Sequence, residues 1–414
     1  MIDMWLLRGE QAEKTIKTIK KKEPLADVES LIEVDEKVLT LKSSVEKLRA
    51  ERNELSAKAA GGITPEVREK SIELGKKIKE TEKHLAEVEG EYGKLLLCLP
   101  NIIEDDVPSG NKESNKVVKT YQEKPTLGFE PKNHLELNEK LGWFDFESGS
   151  KMSGAQFLVY RKDGLKLLYA LTQLMIRHNA HAGFEPVLPP YLVKRESMVK
   201  SSNLPKFEGD FYDIQDEDLS LIPTAEVALT NLYADKIFKE KDLPIRHSAW
   251  TSCFRREAGG YGSLERGLIR IHQFEKVEIY SICKPEDSSD ELNFLVQTAE
   301  SFLQKLGLHY QVSLLAAQDT SFASARTYDV EVWLPGQKSY YEVSSCSNVK
   351  DFQARRAQIR FKRDGEKKTT LAHTLNASSL ALPRLMVALL ETYQQEDGSV
   401  KFPEILQKEM DNLW

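Results

Sequence analysis

The chain has only four cysteines in 414 residues: Cys98, Cys253, Cys283 and Cys346. They lie far apart and form no CxxC pair, which excludes a disulfide scaffold and a cysteine-based zinc site. That usage suits a reducing compartment, and a cytoplasmic location is expected. No apolar run approaches the ~20 residues needed to span a bilayer. The opening MIDMWLLRGEQAEK has no basic segment followed by an apolar core, so neither a membrane association nor a secretory signal is expected. Positive charge is not in excess: 58 Lys and Arg stand against 65 Asp and Glu, a net charge of −7. Nothing attracts nucleic acid globally, and any RNA contact must come from local basic patches. What is present, 40% hydrophobic and 30% charged residues, describes a soluble globular protein with more than one domain and a sizeable core.

The first hundred residues are patterned for helix. Residues 1–26 form a short amphipathic lead with Lys17, Lys20, Lys21 and Lys22, a solvated face or a phosphate contact. From Asp27 to Ala59, Val28, Leu31, Val34, Val38, Leu41, Val45, Leu48 and Leu55 follow a 3/4 spacing. Gly61-Gly62-Ile63-Thr64-Pro65 breaks it, and the rhythm resumes at Val67, Leu74, Ile78, Leu85, Val88, Tyr92 and Leu95. Two heptad segments about a tight turn read as an antiparallel coiled-coil hairpin, with an oligomerisation zipper as the alternative. Linker chemistry at 95–116 puts a domain boundary near residue 110.

The densest chemistry lies between Trp250 and Tyr280, in TSCFRREAGGYGSLERGLIRIHQFEKVEIY. Glycines 259, 260, 262 and 267 separate two β-forming runs, which predicts a hairpin with a long flexible loop. Period two puts Ile269, Ile271, Val277 and Ile279 on one face of the second run. Arg270, His272, Phe274, Lys276 and Glu278 fall on the other. Such a face either meets water or takes an anionic ligand carrying a flat base, with Arg forking a phosphate and Phe274 stacking the ring. Before it, LSLIPTAEVALTNLY predicts a strand and a helix capped by Thr224 with Glu226 in its first turn. After it, YYEVSSCSNV would place Tyr340, Glu342, Ser344 and Cys346 on one face, a carboxylate with flanking hydroxyls such as Mg²⁺ with ATP phosphates requires. Arg355, Arg356, Arg360, Lys362 and Arg363 form a basic run that contacts RNA or balances an acidic surface. HTLNASSLALPRLMVALLETY predicts a strand, a turn of small residues and an apolar helix whose first turn holds Arg384, against the helix dipole.

CFRREAG followed by RGLIRIHQFEKVE resembles the second signature motif of class II aminoacyl-tRNA synthetases, in the form seen in seryl-tRNA synthetases of bacterial type. FEPVLPPYLV, with Pro190, resembles the first motif, and the segment around Arg384 the third. The resemblance covers essentially the whole chain. It implies an α+β fold, a mostly antiparallel sheet flanked by helices behind an N-terminal coiled-coil arm. It divides the chain into a tRNA-binding arm at 1–110 and a catalytic domain at 111–414. The implied activity is an ATP-dependent ligase that makes seryl-adenylate and transfers serine to tRNA(Ser), with tRNA(Sec) as a further acceptor. A homodimer and Mg²⁺ are implied with it.

The same resemblance implies the site. Arg255 and Arg384 would be catalytic. Thr224, Ala225, Glu226, Glu278, Asn376 and Ser378 would bind serine. Arg255, Arg256, Glu257, Phe274, Glu342, Val343, Ser344, Ser345 and Arg384 would hold ATP, with Glu342 and Ser345 on the metal. The chain departs from the pattern at Ser263, Leu264 and Glu265 in the loop, and at Ala377 and Ser379, where the family usually has glycine. A residue forced to φ > 0 there would cost about 1–2 kcal/mol. Two other classes compete. A silent paralogue should have lost some of Arg255, Glu257, Glu278, Glu342 and Arg384, and a ligase charging a carrier protein should lack the helical arm.

Overall fold

A computed structural model describes residues 1–58, 64–257 and 266–414. The chain divides into two compact units, Met1–Pro100 and Asn101–Trp414.

In the first unit a lead helix, Ala12–Lys22, precedes two long helices, α1 (Val28–Lys58) and α2 (Pro65–Cys98). Thr64 accepts a hydrogen bond from the Val67 amide and Pro65 occupies the first turn, so α2 begins where capping chemistry starts it. Val34, Val38 and Val88 are buried between the helices, with Leu41, Leu85, Tyr92 and Leu95 against them. Lys42 pairs with Glu89 and Arg49 with Glu82. Seven residues forward on α1 is seven back on α2, so the pair is antiparallel in heptad register. The seam is therefore filled within one chain, as the hairpin reading requires. The Gly61-Gly62 turn lies outside the described residues. The lysine cluster is not wholly solvated: Lys20 pairs with Glu29, and burial pushes the Lys22 amine down to about 7.

The second unit is built on a sheet that, among the described residues, has eight strands. In chain order they are β1 (Lys116–Tyr121), β2 (Glu185–Val187), β3 (Ile245–Phe254), β4 (Gln273–Cys283), β5 (Tyr310–Leu314), β6 (Arg326–Leu334), β7 (Ser339–Lys350) and β8 (His373–Ala381). Their spatial order is β1-β5-β6-β7-β8-β4-β3-β2, antiparallel throughout except at the β2–β3 pair. Helices α3 (Lys162–His181), α4 (Ala225–Leu232), α5 (Ser288–Lys305), α6 (Phe352–Ala357) and α7 (Leu382–Tyr393) flank it. Leu167, Leu171, Leu295, Phe302, Leu385 and Leu389 pack with Val277, Ile279, Val330 and Leu375 in the main core. A smaller core on α4 and α6 takes Tyr280 and Ile282 from β4. Alternation along β4 thus feeds both layers, and the polar face survives only at its N-terminal end. No helix among the described residues is long and apolar enough to cross a membrane. All four cysteines are free.

Three local expectations are corrected. The second run of the hairpin pairs only from Gln273, because Gly267–Ile269 forms a 3-10 turn whose glycine takes φ +68°. The small residues 377–379 form no turn: they stay in β8, where Ala377 pairs with Cys346 of β7 and Ile279 of β4, and Ser378 with Glu278 of β4 before the register shifts. In the β6–β7 pair the register shifts between Val330 and Glu331 of β6, so Val343 of β7 is an extra residue. That bulge breaks the alternation expected from Tyr340 to Cys346. Val343 and Cys346 both enter the core.

Candidate active site

The strand ends of β4, β7 and β8 and the start of α4 meet at two adjoining cavities. One, of about 550 Å³, is lined by Thr224, Glu226, Arg255, Glu257 and Arg270 together with Ser201–Asn203 and Ser321–Ala323. The other, of about 260 Å³, is lined by Phe274, Lys276, Glu342, Ser378 and Arg384. Arg255, Glu257 and Arg270 line both.

Around the first cavity, polar side chains are tied to one another. The Thr224 hydroxyl accepts from the Glu226 amide, which caps α4, and donates to Glu278 Oε2 at 3.2 Å. It also accepts from Lys276 Nζ at 2.8 Å, and Lys276 pairs with Glu278. Glu226 Oε1 accepts from Gln353 Nε2 at 2.6 Å and from Asn376 Nδ2 at 3.0 Å. Burial, with the charge of Glu278 next, pushes the Glu226 carboxyl up to about 7. Burial raises Glu278 as well, opposed first by Lys276. Ala225 is buried in the α4 core, so only its backbone can face a ligand. Ser378 lies across the ladder from Glu278.

At the second cavity the Arg255 guanidinium carbon sits 5.2 Å from the centre of the Phe274 ring. Its Nε points at Pro223 O, 3.4 Å away, beside the Thr224 cap. Arg384 donates from Nη1 to Glu342 O at 2.9 Å and pairs with its carboxylate at 3.2 Å. That pairing offsets its unfavourable place in the first turn of α7. Glu257, at φ +51°, pairs with Arg270 at 2.8 Å. Arg256 turns away, its Nη1 donating to Gly209 O. Val343 is in the core, and the buried Ser344 hydroxyl donates to Ser378 O at 2.5 Å. Either could reach a nucleotide only through its backbone.

Glu342 and Ser345 offer the oxygen donors a hard cation takes, and a third oxygen lies beside them. Asp329, opposite Ser345 in the β6–β7 ladder, is buried, and its Oδ1 has no hydrogen-bond partner among the described residues. Burial, then the charge of Glu342, raises its carboxyl well above the carboxylate range. A neighbouring cation would relieve both, so these residues fit Mg²⁺ held jointly with phosphate oxygens. Among the described residues no three His, Cys, Asp or Glu side chains are grouped to hold a metal unaided.

Asp329, Gln353, Arg270 and Lys276 belong to the site without having been given a role in it from the sequence. Lys276 had a signal, since it alternates with Phe274 and Glu278. Gln353 and Asp329 had none, being brought in by α6 and by strand register. The departures prove mild where they are described. Neither Ala377 nor Ser379 has positive φ, so the feared penalty does not arise. Ser379 Oγ donates to Asn179 Oδ1 at 2.8 Å, and Asn179 Nδ2 donates to Ser248 Oγ at 2.9 Å. The serine thus ties β8 to α3 and β3 in place of a glycine. Ser263–Glu265 lie outside the described residues.

Residues 1–103 match the family model "Seryl-tRNA synthetase N-terminal domain", and residues 206–393 match "tRNA synthetase class II core domain (G, H, P, S and T)". The chain is 46% identical over 403 residues to the serine–tRNA ligase of Leptospira biflexa, covering 95% of this chain and 96% of that protein. A crystal structure of the Pyrococcus horikoshii seryl-tRNA synthetase complexed with ATP superposes with a TM-score of 0.94 at 33% identity, covering 99% and 98% of the two chains. The cytoplasmic serine–tRNA ligase of Naegleria fowleri, in complex with AMP, gives 0.87 at 27% identity, covering 100% and 98%. With both of its parts matched and full-length relatives at this level of identity, the chain belongs to the seryl-tRNA synthetase family of class II aminoacyl-tRNA synthetases.

Proposed function

We propose that the protein activates L-serine with ATP and transfers the seryl group to the 3′ end of tRNA(Ser), with tRNA(Sec) as a second acceptor to be tested. One observation carries this reading: Arg255 borders both cavities, one lined by Thr224 and Glu226, with Glu278 bonded behind Thr224, and the other by Phe274, Glu342 and Arg384. In activation a carboxylate oxygen of serine attacks the α-phosphorus of ATP. The bond from that phosphorus to the β-phosphate oxygen breaks, and pyrophosphate leaves with its electron pair. No enzyme nucleophile is needed, so positioning and charge neutralisation are the protein's work.

Arg255 would bridge the serine carboxylate and the α-phosphate. Phe274 and Arg384 would enclose the adenine, with Glu257 reading its edge through the carboxylate that Arg270 orients. Glu226 and the Thr224 segment would take the serine ammonium, and Glu278, Ser378 and Asn376 the hydroxyl side. Mg²⁺, when bound with ATP, would be held by Glu342 and Ser345 and would neutralise phosphate charge. A ribose hydroxyl of the tRNA end then attacks the seryl carbonyl and AMP leaves. The arm at 1–110 would grip the tRNA body while 111–414 carries out both steps, in a cytoplasmic homodimer.

ATP–pyrophosphate exchange with serine, alanine and threonine tests this. Exchange should depend on serine and fall sharply with alanine, which leaves polar groups unpaired. It should fall less with threonine, since one extra methyl is worth only ~1–3 kcal/mol. Folded protein with no serine-dependent exchange would sink the proposal.

A further inference from the structure

Lys276 is an unusual residue to find where it is. It is 6% exposed, on a strand face between an aromatic ring and a carboxylate, and lysines are almost never buried unless paired. Its amine has two partners in the site, Glu278 and the Thr224 hydroxyl. That hydroxyl is thereby saturated. It accepts from Lys276 and from the Glu226 amide and donates its single proton to Glu278. The place expected for the substrate's ammonium at Thr224 Oγ1 is thus held by an ammonium of the protein's own.

The two carboxylates of the site are arranged alike. Among the described residues, every hydrogen bond to Glu278 falls on Oε2 and every one to Glu226 falls on Oε1. Each has a second oxygen that takes no hydrogen bond among the described residues. Resting on the reading of the site as one that activates serine, we propose that Lys276 is a specificity-determining positioning residue. It locks Glu278 through Oε2 as an ionised acceptor, so that Oε1 takes the substrate's side-chain hydroxyl and Glu226 takes its ammonium.

The groups facing Glu278 show why this cation matters. They are Lys276 on β4 itself, Glu226 on α4, Arg255 and Cys253 at the end of β3, and Cys346 on β7. Burial raises both thiols, Cys346 to about 12, so they are neutral. Lys276 and Arg255 are therefore the two cations set against two carboxylates, and Arg255 is needed by the phosphate. Without Lys276 a buried Glu278 would take up a proton. A neutral carboxyl loses its orientation, and leaving it unpaired beneath a methyl group costs less than leaving a charge unpaired. Rejection of alanine would weaken accordingly.

The test uses the full chain with K276M, which keeps length without charge, K276Q as a second neutral variant, and K276R as the conservative one. Exchange is measured with serine and alanine from pH 6 to 9, and ATP binding by calorimetry. For K276M and K276Q, kcat/KM for serine should drop about 10- to 100-fold, and the serine-to-alanine ratio should fall about 10-fold. The acid limb of the serine profile should move to higher pH, with ATP affinity little changed. K276R should recover part of the ratio and the profile. Neutral variants that lose rate but keep the wild-type ratio and pH profile would show a merely structural lysine and overturn the proposal. A wild-type chain without serine-dependent exchange would instead overturn the reading of the site, and this proposal with it.

Discussion

A buried carboxyl raised to about 7 would make serine activation depend on pH in a way that can be worked out in sign. Glu226 is pushed up to about 7, chiefly by burial and then by Glu278. Below that value it is neutral and binds an ammonium poorly; above it the charge is present. In the wild type, kcat/KM for serine should therefore rise as pH increases through about 7 and then level off, while ATP affinity stays nearly flat. Pyrophosphate exchange at sub-saturating serine between pH 5.5 and 9 checks this, and a profile that falls over the same interval would contradict it. Truncation at the neighbouring position is more severe. Glu278→Ala removes the acceptor and leaves Lys276 and Thr224 facing each other, so serine activation should be lost while ATP binding, measured by calorimetry, remains. At this scale much was legible. Alternation put Phe274 and Glu278 on one strand face, and helix-terminus chemistry singled out Arg384, because both are local; the roles given to them, and to Arg255 and Glu342, came from the resemblance. Gln353 and Asp329 could not, since their importance comes from what lies opposite them.

At the scale of elements, β4 is held from the side by a buried ion pair. Arg246 on β3 grips both oxygens of Glu291 on α5 at 2.7 Å, and Ser281 of β4 adds a hydrogen bond at 2.6 Å. Glu291 is 5% exposed, so removing its cation leaves a charge in the interior. Arg246→Ala should lower stability by about 3 kcal/mol, read from denaturant unfolding, and Glu291→Gln by less, since the Arg246 charge then left unpaired is 27% exposed and reaches water. Equal effects of the two would refute this account. Strand limits were less legible than strand identity. A run of alternating residues reads as strand from Ile269 onward, yet pairing starts at Gln273 because a glycine turn intervenes. The small residues of β8 look like a turn, but Ala377 is paired with strands on both sides and Ser378 with β4.

Across the whole molecule the two compact units each hold apolar seams of their own. Deleting Asp27–Leu97 should therefore spare serine-dependent pyrophosphate exchange and abolish aminoacylation of tRNA(Ser). A truncated chain that still charged tRNA at the normal rate would refute the role proposed for the arm. Heptad spacing and breaker residues determined by themselves that this chain pairs two helices, which is a consequence of local periodicity. The mostly antiparallel sheet, with arginines and glutamates at its strand ends, was implied by the resemblance of three short motifs to those of class II synthetases. Tertiary structure alone decided that Lys276 occupies the Thr224 hydroxyl, that a bulge turns Val343 inward, and that Ser379 stands in β8 without a positive φ. Each depends on which atoms face one another across strands distant in sequence, and no local pattern encodes that.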